Sequence, residues 1–322
     1  MSDKNYAYAV TRIRVKENCL LRDSFLQQLL ASPDYETALN LLRDHGWAVD
    51  TGDFSVMLEN ERKKTWDLMR EVLKEDIDRL DVFLYAADYR NLKAAIKETK
   101  GVLGTEGIYS QNGSIEPEVI RKAVSEKRFD LLPEPMQDVA KQALTLFLQT
   151  KDGQLSDVIV DQAALSSILT AGKNSGSDFL KLYAETTVAS ADIKIALRSM
   201  KTGKDRAFLE KALCPCESLD IKRLIDAVLG GKEAFLSYLS NTVYADGIEE
   251  LSVSMARFER WCDNLLVKRM KPQKSNPFGI DPLAAFVLAK ENEITSVRII
   301  LSGKRHDLPE EKIRERIREM YV

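Results

Sequence analysis

The chain has 322 residues, of which 44% are hydrophobic and 30% charged, with a formal net charge of −3. That length fits roughly two or three domains of ~100 to 200 residues each, and the composition can bury a core and still coat it with ions. A slightly negative balance argues against a general nucleic-acid binder and supplies no field for a membrane surface. Four cysteines, Cys19, Cys214, Cys216 and Cys262, make no disulfide framework and suit a reducing compartment. The longest clean apolar run, Leu283 to Ala289, is far shorter than the ~20 residues of a membrane span. The opening MSDKNYAYAV lacks the basic start and apolar stretch of a secretory signal, so a cytoplasmic location is expected.

Helical periodicity dominates from the start. Tyr6, Val10, Ile13, Leu20 and Leu21 set one pattern, with an adjustment near Asn18, and Phe25, Leu29 and Leu30 continue it. Arg62 to Tyr89 carries Trp66, Met69, Leu73, Ile77, Leu80 and Leu84 at threes and fours and predicts one long amphipathic helix. Loop signals gather at Gly101 to Gly113, Thr150 to Gln154, Ala171 to Ser177 and Pro272 to Pro282. Pro309, Glu310 and Glu311 predict a last helix running almost to Val322. Alternation of period two is nearly absent, which makes the fold class all-α.

Three stretches are nearly the same: RNLKAAIK from Arg90, ADIKIALR from Ala191 and TSVRIILS from Thr295, each roughly one hundred residues from the next. Each has Asn91, Asp192 or Ser296, then Leu92, Ile193 or Val297, then the cation Lys93, Lys194 or Arg298. Because Asn, Asp and Ser favour helix caps, each copy reads as a capped helix start. A second block lies roughly 60 to 70 residues upstream of each, at Leu29, Ala123 and Val228: a helix end, a polar break, an aromatic and a second apolar run. The period exceeds that of solenoids, so three similar helical domains are expected, at residues 1–103, 104–205 and 206–322.

Chemistry is sparse. His45 and His306 each stand beside an aspartate in a polar segment, and Cys214-Pro215-Cys216 has no second ligand pair for zinc. Gly203-Lys204, Gly231-Lys232 and Gly303-Lys304 lack the flanks of a phosphate loop. No catalytic, cofactor or metal residues are therefore assigned; an enzyme would require carboxylates such as Asp88 or Glu291 to converge in a pocket. Lys268, Arg269, Lys271 and Lys274 read as a cationic helix end stopped by Pro272, and Trp47, Trp66 and Trp261 as core. Lys93, Lys194 and Arg298 would sit in first helical turns, where the dipole disfavours them. Either they snorkel past apolar neighbours or they face one acidic partner across a threefold-like axis.

The C-terminal PFGIDPLAAFVLAKENEITSVRIILSGKRHDLPEEKIRERIREMYV resembles the C subunit of the V-type (A-type) ATPases, the prokaryotic relative of the vacuolar d subunit, through its P-x-G start, K-E-x-E cluster, V-R pair and late L-P. The opening YAYAVTRIRVKENCLLRDSFLQQLL, with Arg12 and Arg14 in R-x-R, is similar too, as are RNLKAAIK and ADIKIALR; the likeness is weakest from Gly104 to Ser177. It implies an all-α funnel of three domains with pseudo-threefold symmetry and no active site. It also implies a central-stalk socket, with the D and F axle subunits on one side and the membrane proteolipid ring on the other, at the cytoplasmic side of the membrane. Rotation would pass through it between ATP hydrolysis or synthesis and proton or sodium transport. Arg12, Arg14, Lys93, Lys194 and Arg298 are the interface candidates, with internal pairing open for the two arginines of the R-x-R. One departure stands out: V-A-S-A-D at Val188 to Asp192 replaces an acidic-rich lead-in. The alternative function is a helical scaffold or adaptor unrelated to ion transport.

Overall fold

A computed structural model describes residues 6–48, 53–101, 108–150 and 153–322, and among these every regular element is helical. The fold is all-α. The chain packs as two compact units, Met1–Ile77 with Gly247–Val322, and Asp78–Asp246. The first unit opens with α1 (Ala7–Glu17), α2 (Asp23–Ala31), α3 (Tyr35–Asp44) and α4 (Phe54–Leu73). In the second lie α5 (Tyr85–Glu98), α6 (Pro117–Ser125), α7 (Glu134–Thr150), α8 (Gly153–Asn174), α9 (Asp178–Thr202), α10 (Arg206–Ala212), α11 (Ile221–Leu229) and α12 (Lys232–Leu239). The chain then returns to the first unit with α13 (Ile248–Val253), α14 (Met255–Met270), α15 (Asp281–Arg305) and α16 (Glu310–Arg314).

Local chemistry sets many of these bounds. Asp34, Ser177, Asp205, Asp220 and Ser254 each accept an amide hydrogen bond in the first turn they precede, which satisfies donors the helix itself cannot. Pro117 and Pro282 stand in first turns, where a missing N–H costs nothing. The upstream blocks hold as read: α2, α6 and α11 each end, break and give way to a further helical run.

The first unit's core joins Leu26, Leu29, Leu42 and Leu58 to Ile294, Val297, Ile300 and Leu301 of α15, which is buried on nearly every side. That accounts for the apolar run Leu283 to Ala289 without any membrane; no described helix is long and apolar enough to span one. In the second unit, Leu92, Ile96, Ile120, Val124, Ala140, Leu144, Phe147 and Val160 form the centre. Helices α8 and α9 approach closely at Gly172, where a Cβ would lie 2.4 Å from that of Ala184. Trp47 and Trp66 are buried, and Trp261 stacks on Phe258.

Four expectations are corrected. The long helix from Arg62 to Tyr89 stops at Leu73, because Lys74 takes φ of +51° and a 3-10 segment, Lys74–Phe83, follows before α5. Asp76, Asp78 and Asp81 crowd that segment with like charge and poor helix formers. The last helix stops at Arg314 rather than near Val322. Beyond it, the amides of Arg318, Glu319 and Met320 go to Ser296, Asn264 and Asp23 side chains, and Met320 and Tyr321 are buried. Asn91, Asp192 and Ser296 do not start helices; they lie inside α5, α9 and α15. The cations two residues on are therefore clear of the first turn, and no dipole penalty arises. The expected boundary near 104 falls outside the described residues, and residue 205 caps α10 inside the unit Asp78–Asp246.

Candidate functional site: three latches and their cations

Why would Asn, Asp and Ser, poor formers of helix interiors, recur inside three helices? All three are fully buried, at 0% exposure, and each binds a backbone amide of the segment that returns over its helix. Asn91 Oδ1 accepts from Ser110 N and its Nδ2 donates to Ser110 O, both at 2.8 Å. Asp192 Oδ1 accepts from Cys214 N at 3.0 Å. Ser296 Oγ accepts from Arg318 N at 3.4 Å. In every copy the bond reaches roughly 20 residues ahead, so the matching position works as a latch for a passing chain and satisfies one of its amides.

A carboxylate stands near each latch, though not in the same place, and in the third copy it holds a different segment. Three residues before Asn91, Asp88 accepts from Ser114 N at 3.1 Å, Ser114 Oγ at 2.7 Å and Ile115 N at 3.1 Å. Three before Ser296, Glu293 accepts from Leu21 N at 2.7 Å and from Lys290 Nζ. The equivalent residue of α9 is Ala189, within the V-A-S-A-D departure. There Glu185, two helical turns before Asp192, takes Ser218 N at 2.6 Å and Ser218 Oγ at 2.7 Å. Burial dominates the titration of Asp88, Glu293 and Asp192. It raises Asp88 against the pull of its three donors, and raises Glu293 against Lys290. Asp192 is pushed up to about 8 by burial, with the Cys214 amide opposing and Glu185 adding to the shift.

The first unit also holds an ion set that periodicity did not single out. Lys290, 8% exposed, pairs with Glu293 and, at 3.4 Å, with Glu61, and stands 5.1 Å over the Trp47 ring. Arg62 grips Glu291 through two nitrogens at 2.8 and 2.9 Å. The sequence signal for both was the K-E-x-E cluster, which places its charges on adjoining faces of α15 opposite α4.

The five interface candidates occupy different settings. Arg12 lies 5.8 Å over the Tyr8 ring and pairs with Glu71 at 2.8 Å, on the surface. Arg14 is committed internally: one nitrogen binds Glu17, and another donates to the carbonyls of Gln273 at 2.6 Å and Asn276 at 2.7 Å. Lys93 pairs with Asp161 of α8 at 2.5 Å. Lys194 is half-buried on α9 and Arg298 exposed on α15, each with interactions of its own in the fold.

The carboxylates named for an enzyme do not act together. A cavity of about 640 Å³ in the second unit is lined by Asp78, Tyr85, Asp88, Tyr89, Met136 and Ser167 among others. Asp88 is spent there on Ser114 and Ile115, while Glu291 is held by Arg62 in the other unit. Burial pushes the thiols of Cys214 and Cys216 up to about 12, with Asp192 and Glu185 adding to the shift, which keeps both protonated at neutral pH. Among the described residues no group of His, Cys, Asp and Glu is arranged to hold a metal ion.

These buried polar groups are spent on fastening helices to returning segments of an all-α fold. The chain belongs to the ATP synthase (C/AC39) subunit family, whose profile matches residues 9–316. It is 27% identical to the C subunit of the A-type ATP synthase of Methanocaldococcus jannaschii, over 96% of this chain and 85% of that one. Identity is 23% both to the C subunit of the V-type sodium ATPase of Enterococcus hirae, over 84% and 83%, and to the C subunit of the V-type ATP synthase of Thermus thermophilus, over 97% and 98%.

Proposed function

We propose that this chain is a non-catalytic central-stalk subunit of a V/A-type ATPase, a rotor socket between the D and F axle subunits and the proteolipid ring. It passes rotation between ATP hydrolysis or synthesis and proton or sodium transport, peripherally, at the cytoplasmic side of the membrane. The observation that carries the reading is the family match, which runs through nearly the whole chain and takes in relatives named as the C subunit of such complexes. Three similar domains, 1–103, 104–205 and 206–322, about a pseudo-threefold axis are part of the same proposal. The three latches at one repeat position support it, because duplication explains why Asn91, Asp192 and Ser296 all bind chain roughly 20 residues ahead.

Among the interface candidates, Arg12 and Arg298 suit partner contact best. Arg14 suits a positioning role, holding the segment before α15 against α1. The test is capture of the full chain by the axle pair and, separately, by the detergent-solubilised proteolipid ring. Binding to both is expected; failure to bind either overturns the socket.

A further inference from the structure

Asp192 is the one latch residue that carries an ionisable group, and its setting says which form it takes. The other copies fill the same position with an amide, Asn91, and a hydroxyl, Ser296, both neutral. Asp192 is fully buried; its Oδ1 has one donor, Cys214 N, and its Oδ2 has no hydrogen-bond partner. An ionised carboxylate in such a place should gather donors, as Asp88 does with three.

Among the described residues, no cation is among the groups that shift Asp192. On α9 itself the nearest acid is Glu185, whose Oε2 is likewise buried and unpartnered. From the latched segment come the thiols of Cys214 and Cys216, with the Tyr244 hydroxyl behind Ser218 at 3.1 Å. From α8 the cation near Cys214 is Lys173, which is exposed and pairs with Glu217 at 3.5 Å. Helix α10 buries Leu209 and Ala212 and α11 buries Leu224 and Ile225, while their charged residues Arg206, Glu210, Lys211, Lys222, Arg223 and Asp226 are exposed. With no metal-holding group among the described residues, a proton is the neutraliser that remains.

We infer that Asp192 is carried as the neutral acid, and that its ionisation releases the segment Cys214–Ser218 from α9, making Asp192 the one latch residue of the three that itself responds to a proton. The inference rests on geometry within the second unit and is independent of the rotor reading. The folded chain holds the proton up to about pH 8 and the unfolded chain loses it near the ordinary carboxylate value, so stability falls as pH rises through that window.

Full-length wild type and D192N are unfolded in urea at steps from about pH 6 to about pH 9, with iodoacetamide labelling of Cys214 scored by peptide mass. Up to about pH 8, the folding equilibrium constant of wild type should fall by up to about tenfold per pH unit more than that of D192N. At the alkaline end D192N should be the more stable, and Cys214 labelling should climb with pH more steeply in wild type than in D192N. Parallel pH slopes, or a D192N less stable than wild type at the alkaline end, overturn the inference. If D192N does not fold, D192S, which installs the hydroxyl of the third copy, is put through the same series. Failure of both neutral variants to fold where wild type folds also overturns it.

Discussion

Helices α5 and α9 solve one packing problem with their charges in different places. In α5 the buried latch is the amide Asn91, which both donates to and accepts from Ser110, and the acid stands one turn earlier, where Asp88 collects three donors. In α9 the acid occupies the latch itself, the earlier position is Ala189, and a second acid, Glu185, works from a turn further back. Helix α15 follows α5, with Ser296 at the latch and Glu293 one turn before it, but adds a buried cation, Lys290. What the repeat holds constant is thus a hydrogen bond to a returning amide; the charge around it is free to move or be compensated.

That distinction sets the order of expected damage. Glu293→Ala should be the most costly change, because it strands Lys290 in an 8%-exposed site with only Glu61 at 3.4 Å and leaves Leu21 N unpaired. Breaking a buried pair in this way costs ~3 to 5 kcal/mol. Urea denaturation of the full chain reads it directly, and a loss under about 1 kcal/mol would mean the ion set is not holding α15. Asp88→Ala should cost less, ~2 kcal/mol, because Ser114 is exposed and water can replace part of what its donors lose. Gly113→Ala tests the same latch from the other side, since a Cβ there would lie 2.0 Å from Asp88 Oδ1. It should destabilise in wild type and much less in an Asp88→Ala background, where the clash is gone.

The latches were only partly legible in the sequence. The three copies, the cations and the breaks of the upstream blocks followed from residue type and spacing. Their place in the helices did not, because Asn, Asp and Ser are read as caps from local preference, whereas here buried position gives them to the backbone of a distant segment. A signal was present: no Pro or Gly interrupts Leu283 to Ser296 or Asp178 to Asp192, so the helices had no reason to begin at the motif. The end of α16 was harder to see. Its stop depends on Ser296, Asn264 and Asp23, three side chains far apart in sequence that capture successive free amides. The internal pairing of Arg14 is of the same kind, since its carbonyl partners at Gln273 and Asn276 carry no sequence code.

A milder contrast concerns pH at the entry to α5. Burial pushes Asp81 up to about 6, with Asp78 and Asp88 adding to the shift. A raised value means the folded chain keeps a proton that the unfolded chain releases, so stability declines as pH rises from the ordinary carboxylate value through about 6. Asp81→Asn should flatten that decline, whereas D192N acts up to a higher pH. Urea midpoints across both windows separate the two acids; identical profiles for the two variants would show that neither acid titrates as its surroundings require.

The smallest stability effect should come from the cations that first drew the three copies together. Lys93 spans α5 to α8 through Asp161, itself about half exposed, and Lys97 repeats the bridge one turn on with Asp157 at 2.7 Å. Bridges of this exposure contribute up to ~1 kcal/mol, so Lys93→Ala should shift the urea midpoint little. Partner binding is the sharper readout. Reversing charge at Lys93, Lys194 and Arg298 together should leave the fold intact, since all three lie on half-buried or exposed faces, and should weaken capture by the axle pair or the ring if the repeat presents them to one acidic partner. Unchanged capture by both would assign the cations to the framework alone, with Lys93 serving α8 as its geometry already allows.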